Sequence, residues 1–108
     1  IFRSEALLVA RPDVEDDDRV TVFVRRLQGV IVARSYVLVD YDIPNDLVAQ
    51  ACAITPGIES PTVSPLQNSQ WSAVRAMVPR KGVHIIMDEL YNLGARGVLV
   101  TDIHACRL

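Results

Sequence analysis

The chain has 108 residues, half of them hydrophobic and 22% charged, with a net charge of -2 at neutral pH. That length sets one domain, or one small domain with a piece of another, and the balance is globular rather than disordered. A mildly acidic chain lacks the electrostatic footprint of a nucleic-acid or anionic-membrane binder, and no apolar run approaches the ~20 residues that span a bilayer.

The chain starts at Ile1, without the charged start and apolar core of a signal peptide, and an apolar run at residues 6–10 follows at once. The expectation is a piece of something longer. Cys52 and Cys106 are the only cysteines. With no second pair they make neither a metal site nor a disulfide framework, so reduced thiols and a cytoplasmic setting are expected.

Residues 4–11 (S-E-A-L-L-V-A-R) read as a strand ended by Pro12. An acidic cluster, residues 13–18, precedes a helical pattern, where carboxylates favour the macrodipole and Asp17 or Asp18 can cap free N–H groups. Val20, Phe23, Val24, Leu27, Val30 and Ile31 recur at helical spacing and predict a helix over residues 18–33. Residues 36–42 (Y-V-L-V-D-Y-D) are a strand rich in β-formers. Pro44 suits the first turn of a helix over residues 45–54, with Leu47, Val48, Ala51 and Cys52 on its apolar face.

Residues 54–66 (I-T-P-G-I-E-S-P-T-V-S-P-L) hold three prolines and a glycine, which restrict the backbone path closely. Within them, residues 60–66 form a second strand. Pro61 and Pro65 cannot donate to a ladder, which makes it an edge strand. A polar turn at residues 67–70 leads to a third strand, residues 71–78. Residues 81–93 are the clearest helix, with Val83, Ile86, Met87, Leu90 and Leu93 on one stripe and Gly94 at the C-cap. Residues 97–103 are the last strand.

From Tyr36 onward the order is therefore β-α-β-β-α-β, an α+β, ferredoxin-like arrangement with both helices on one sheet face. In its usual strand order, 4-1-3-2, the proline-bearing strand falls at an edge. The first and last strands are apolar on both sides, Val37, Val39 and Tyr41 alternating with Tyr36 and Leu38. A sheet with one face in water alternates more cleanly. The second face is expected to be covered by another subunit, which also helps a domain of about 70 residues that buries little surface by itself.

No catalytic constellation is present: the chain has no phosphate-binding glycine loop, dinucleotide turn, H-E-x-x-H pair or nucleophile elbow. His84 falls on a polar helix face, and His104 has no partners for nucleophilic chemistry. The acidic run at residues 15–18 lacks calcium-loop spacing. Asp40 and Asp42 stand out because they share one face of a central strand and approach its C-terminal end, near which the proline-rich turn can pass. A carboxylate beside free N–H groups suits a zwitterion, the acid meeting an ammonium and an N–H or the Thr62 hydroxyl meeting a carboxylate. Equally, Asp42 can cap the Pro44 helix.

The segments R-R-L-Q-G-V-I-V-A-R (residues 25–34), V-L-V-D-Y-D-I-P (37–44), A-I-T-P-G-I-E-S-P-T (53–62), V-R-A-M-V-P-R (74–80) and M-D-E-L-Y-N-L-G-A-R-G-V-L-V-T-D-I (87–103) resemble one family, the long-form ATP phosphoribosyltransferases that open histidine biosynthesis. The resemblance implies that residues 1–34 are the closing strand and helix of a catalytic region, and residues 35–108 its ferredoxin-like regulatory domain. The catalytic lobes, which use Mg²⁺, are absent, so it implies a non-catalytic stretch with no cofactor or metal of its own. It further implies L-histidine as the allosteric feedback ligand, regulatory domains associated in threes, and hexameric enzymes. Mapped onto this chain, the histidine site comprises Asp42 for the ammonium, Thr62 for the carboxylate, Ile58 and Met77 for apolar contact, and Gly97 for close backbone approach.

Two other classes remain. One is a structural trimerisation domain without a ligand. The other is an RNA-recognition-like module, which shares the element order but stacks bases on aromatic side chains that the third strand (S-A-V-R-A-M-V after Trp71) does not supply.

Overall fold

The computed structural model of the chain describes residues 18–107. The expected strand at residues 4–11 and most of the acidic cluster lie outside the described residues. The elements are α1 (Asp18–Ser35), β1 (Tyr36–Pro44), a 3-10 turn (Asn45–Leu47), α2 (Val48–Ile54), β2 (Thr62–Pro65), β3 (Trp71–Pro79), α3 (Val83–Leu93) and β4 (Arg96–Asp102).

The four strands make one antiparallel sheet in the order β2-β3-β1-β4, as the element order predicts. β1 sits in the middle, Val39 opposite Ala76 on one side and Val100 on the other. Strand alternation sends Val37, Val39, Tyr41 and Ile43 of β1 to one face with Val74, Ala76 and Val78 of β3, all buried. Helices α2 and α3 cover that face, Ala51 and Leu90 fully buried and Leu47, Val48, Ile86, Met87 and Leu93 packed around them. The two apolar stripes read from the sequence are the ones that pack.

Local chemistry sets the element boundaries. Pro44 closes β1 opposite Trp71, and the chain passes through a 3-10 turn before α2 begins. Asn45 ties this turn to the loop before β3: its N–H and its amide Nδ2 donate to Gln70 and Ser69 carbonyls, and its Oδ1 accepts from the Ser72 hydroxyl at 2.6 Å. Helix α3 begins at Val83 rather than at residue 81, because Gly82 just before it is left-handed at φ 81°. At its other end Gly94, φ 129°, lets the N–H groups of Gly94 and Ala95 return to the Leu90 carbonyl.

The helix expected over residues 18–33 is α1. Its apolar stripe meets no core among the described residues: Phe23 is 55% exposed and Ile31 51%, and only Gly29 and Ala33 are buried. Helical spacing identified an amphipathic helix, but its main contact with the sheet, among the described residues, is where it runs into β1.

Candidate functional site

The sheet face away from α2 and α3 carries Tyr36, Leu38, Asp40 and Asp42 on β1, beside Ala73, Arg75 and Met77 on β3. The two aspartates differ in circumstance. Asp40 lies opposite Arg75 and accepts from its Nε at 2.7 Å. That hydrogen bond, and then the attraction of opposite charges, raises the Arg75 pKa above its usual value.

Asp42, two residues on, has no hydrogen bond or ion pair among the described residues. It does not cap the following helix, since neither the 3-10 turn nor α2 has a side-chain cap. Its neighbour on β4 is a glycine. Between Asp40 and Asp42 the β1–β4 register slips: Asp40 faces Leu99 and Asp42 faces Arg96, so β4 holds one residue more than β1. Gly97, φ 61°, supplies the left-handed residue such a bulge takes. A Cβ there would stand 3.8 Å from Asp42 Oδ2, so the glycine also keeps the carboxylate uncovered.

The remaining predicted positions gather elsewhere on the same face. Ile58, Thr62 and Met77 line an open pocket of about 390 Å³ with Leu38, Glu59 and Arg107. The proline-rich segment is anchored by Thr55, fully buried after α2, whose hydroxyl lies 2.7 Å from the Tyr41 hydroxyl. Gly57 at φ 73° then folds the chain tightly, its absent Cβ being 3.3 Å from the Ser60 carbonyl, and leaves Ile58 43% exposed.

The five residues therefore fall into two groups, Asp42 with Gly97 and Ile58 with Thr62 and Met77. The expectation that the turn passes the C-terminal end of β1 is corrected. Two antiparallel steps make β2 run in the same direction as β1, and Thr62 enters opposite Arg75, level with Asp40. The turn before it is thus beside Leu38, toward the start of β1. Asp42 is two strands across from Thr62 and two residues farther along, about 12 Å between Cα atoms at ordinary sheet spacings.

Comparison with known proteins decides the family. The model of the family described as "HisG, C-terminal domain" matches residues 33–105. The chain belongs to the HisG C-terminal domain family. Over its full length it is similar to proteins named ATP phosphoribosyltransferase: 58% identical over 113 residues in Arthrobacter sp. (strain FB24), 59% over 111 in Pseudarthrobacter chlorophenolicus and 56% over 112 in Streptomyces coelicolor. The chain spans about 40% of the length of these relatives.

Within this HisG C-terminal domain, sequence reasoning missed Leu38, Glu59 and Arg107 as pocket residues. Leu38 was readable as an outward position of β1. Nothing in the sequence signals that Arg107, five residues beyond β4, returns to the sheet face.

Proposed function

We propose that this chain is the L-histidine-sensing regulatory part of an ATP phosphoribosyltransferase and takes no direct part in catalysis. The observation that carries the proposal is Asp42, a carboxylate without a partner among the described residues, beside a glycine on an open sheet face. An ammonium satisfies such a carboxylate by a charge-assisted hydrogen bond. The other half of the site is the pocket, where the Thr62 hydroxyl meets the amino-acid carboxylate while Ile58 and Met77 lie against the side chain.

An ammonium and a carboxylate on one α-carbon are a poor match for two residues about 12 Å apart that stand side by side on one sheet. Asp42 of one copy and Thr62 of a neighbour resolve this, so the complete site lies between subunits. Association of regulatory domains in threes, within a hexameric enzyme, would bring the two halves together. The exposed outer face supports this, Leu99 being 62% exposed. The setting is cytoplasmic, with both cysteines free as thiols. The Mg²⁺ that the resemblance implies for phosphoribosyl transfer is assigned to the catalytic region.

The test is calorimetric titration of L-histidine into the chain, with its mass in solution measured alongside. Saturable binding to an oligomer is expected, and Asp42→Ala should weaken it by about 10–150-fold, the worth of one charge-assisted hydrogen bond. Unchanged affinity in that variant removes Asp42 from the site. An intact oligomer that ignores histidine favours a purely structural domain.

A further inference from the structure

Beyond β4, residues 103–107 run back to α1. The Cys106 carbonyl lies so close to Gly29 that a Cβ on that helical residue would collide with it. The same Cβ would meet Arg107 Nη1 at 3.0 Å. Gly29 is buried in a helix whose other side chains are mostly exposed, and its φ is not positive, so close approach is what calls for a glycine there. Arg107 also lines the sheet-face pocket with Ile58, Thr62 and Met77. Its Nη1 donates to the Cys106 carbonyl at 2.8 Å, and it has no ion pair among the described residues. One residue therefore touches both α1 and the pocket, and its charge is paired with no carboxylate among the described residues.

We propose that residues 103–107 form a latch between the pocket and α1: Cys106 seats its carbonyl on Gly29, and Arg107 turns its guanidinium to the carboxylate of an amino acid held in the pocket. The inference rests on the amino-acid-binding reading of that pocket and adds to it a binding residue and a route to the helix. Arg75, which also lines the pocket, is already paired with Asp40, so among the described residues Arg107 is the pocket cation left to take a carboxylate. A guanidinium meets a carboxylate through two parallel N–H groups, a geometry that lysine lacks. Drawing Arg107 toward a ligand shifts the Cys106 carbonyl it now holds, and that carbonyl rests on α1.

Two variants of the chain test the latch, Gly29→Ala and Arg107→Met, read by thiol alkylation and by amide hydrogen exchange with and without L-histidine. In ligand-free protein, Gly29→Ala should unseat residues 103–107 and speed alkylation of the half-buried Cys106 thiol severalfold, while α1, freed of a helical glycine, exchanges its amides no faster. In the wild-type chain histidine should change exchange at residues 28–33 and 103–107. Both variants should lose the change at residues 28–33. Arg107→Met should weaken histidine binding about tenfold, and Arg107→Lys should recover only part of that loss.

Unaltered alkylation of Cys106 in ligand-free Gly29→Ala overturns the seat, whatever the ligand does. Histidine binding that leaves residues 28–33 unchanged in the wild type overturns the coupling but spares the sensing function. Failure of the wild type to bind histidine overturns the sensing function and the role of Arg107 with it.

Discussion

The Tyr41–Thr55 pair offers the sharpest test of the packing, because its two halves are unequal. Both side chains are buried, and their hydroxyl oxygens are 2.7 Å apart. Thr55 has one proton and also reaches the Ala51 carbonyl at 3.2 Å. Only one arrangement uses both protons: Tyr41 donates to Thr55, and Thr55 donates to Ala51. In Tyr41→Phe, Thr55 keeps its bond to Ala51, and the loss is one neutral hydrogen bond, about 1 kcal/mol. In Thr55→Val the shape is nearly kept, but the Tyr41 hydroxyl is left buried with no acceptor, a cost of about 2 kcal/mol. Adding Tyr41→Phe to Thr55→Val removes that orphan, so the double variant should be no less stable than Thr55→Val alone. Urea unfolding reads this directly. With a slope of about 1–1.5 kcal/mol/M for a domain of this size, Thr55→Val should lower the midpoint by about 1.5 M. Equal costs for the two single variants, or costs that simply add, refute the proton assignment.

The same tyrosine predicts an alkaline limit. Burial raises the Tyr41 pKa above its ordinary 10.0, the Thr55 hydrogen bond acting against this and Cys52 with it. The folded chain then holds this proton more tightly than the unfolded chain. Its contribution is complete below about pH 10 and falls as the pH rises toward the folded pKa. Tyr41→Phe should remove that part of the alkaline slope in unfolding experiments. Asp40→Asn, whose carboxylate is already taken by Arg75, should change histidine affinity less than threefold in calorimetry, in contrast to Asp42→Ala. Leu90→Ala, at a fully buried position under the sheet, should cost about 2–5 kcal/mol by urea unfolding. Gly97→Ala places a side chain at φ 61° and should cost about 1–2 kcal/mol, detectable as a lowered urea midpoint without ligand.

The sequence by itself determined the element order, the stripes of α2 and α3 that pack, and the place of β2 at an edge. These follow from local physics: side-chain period separates helix from strand, and Pro61 and Pro65 exclude a central ladder position. The family resemblance it carries named five candidate positions, all of them on residues the sheet face or its turn presents. Tertiary structure alone decided how those positions group. Pairing register placed Thr62 level with Asp40, the β4 bulge set Gly97 beside Asp42, and the ion pair took Asp40 out of contention. The return of Arg107 to the pocket and the seat on Gly29 were likewise invisible, since no periodicity governs where an irregular segment lands. Register and loop return depend on contacts between residues far apart in the chain, which a local pattern does not encode.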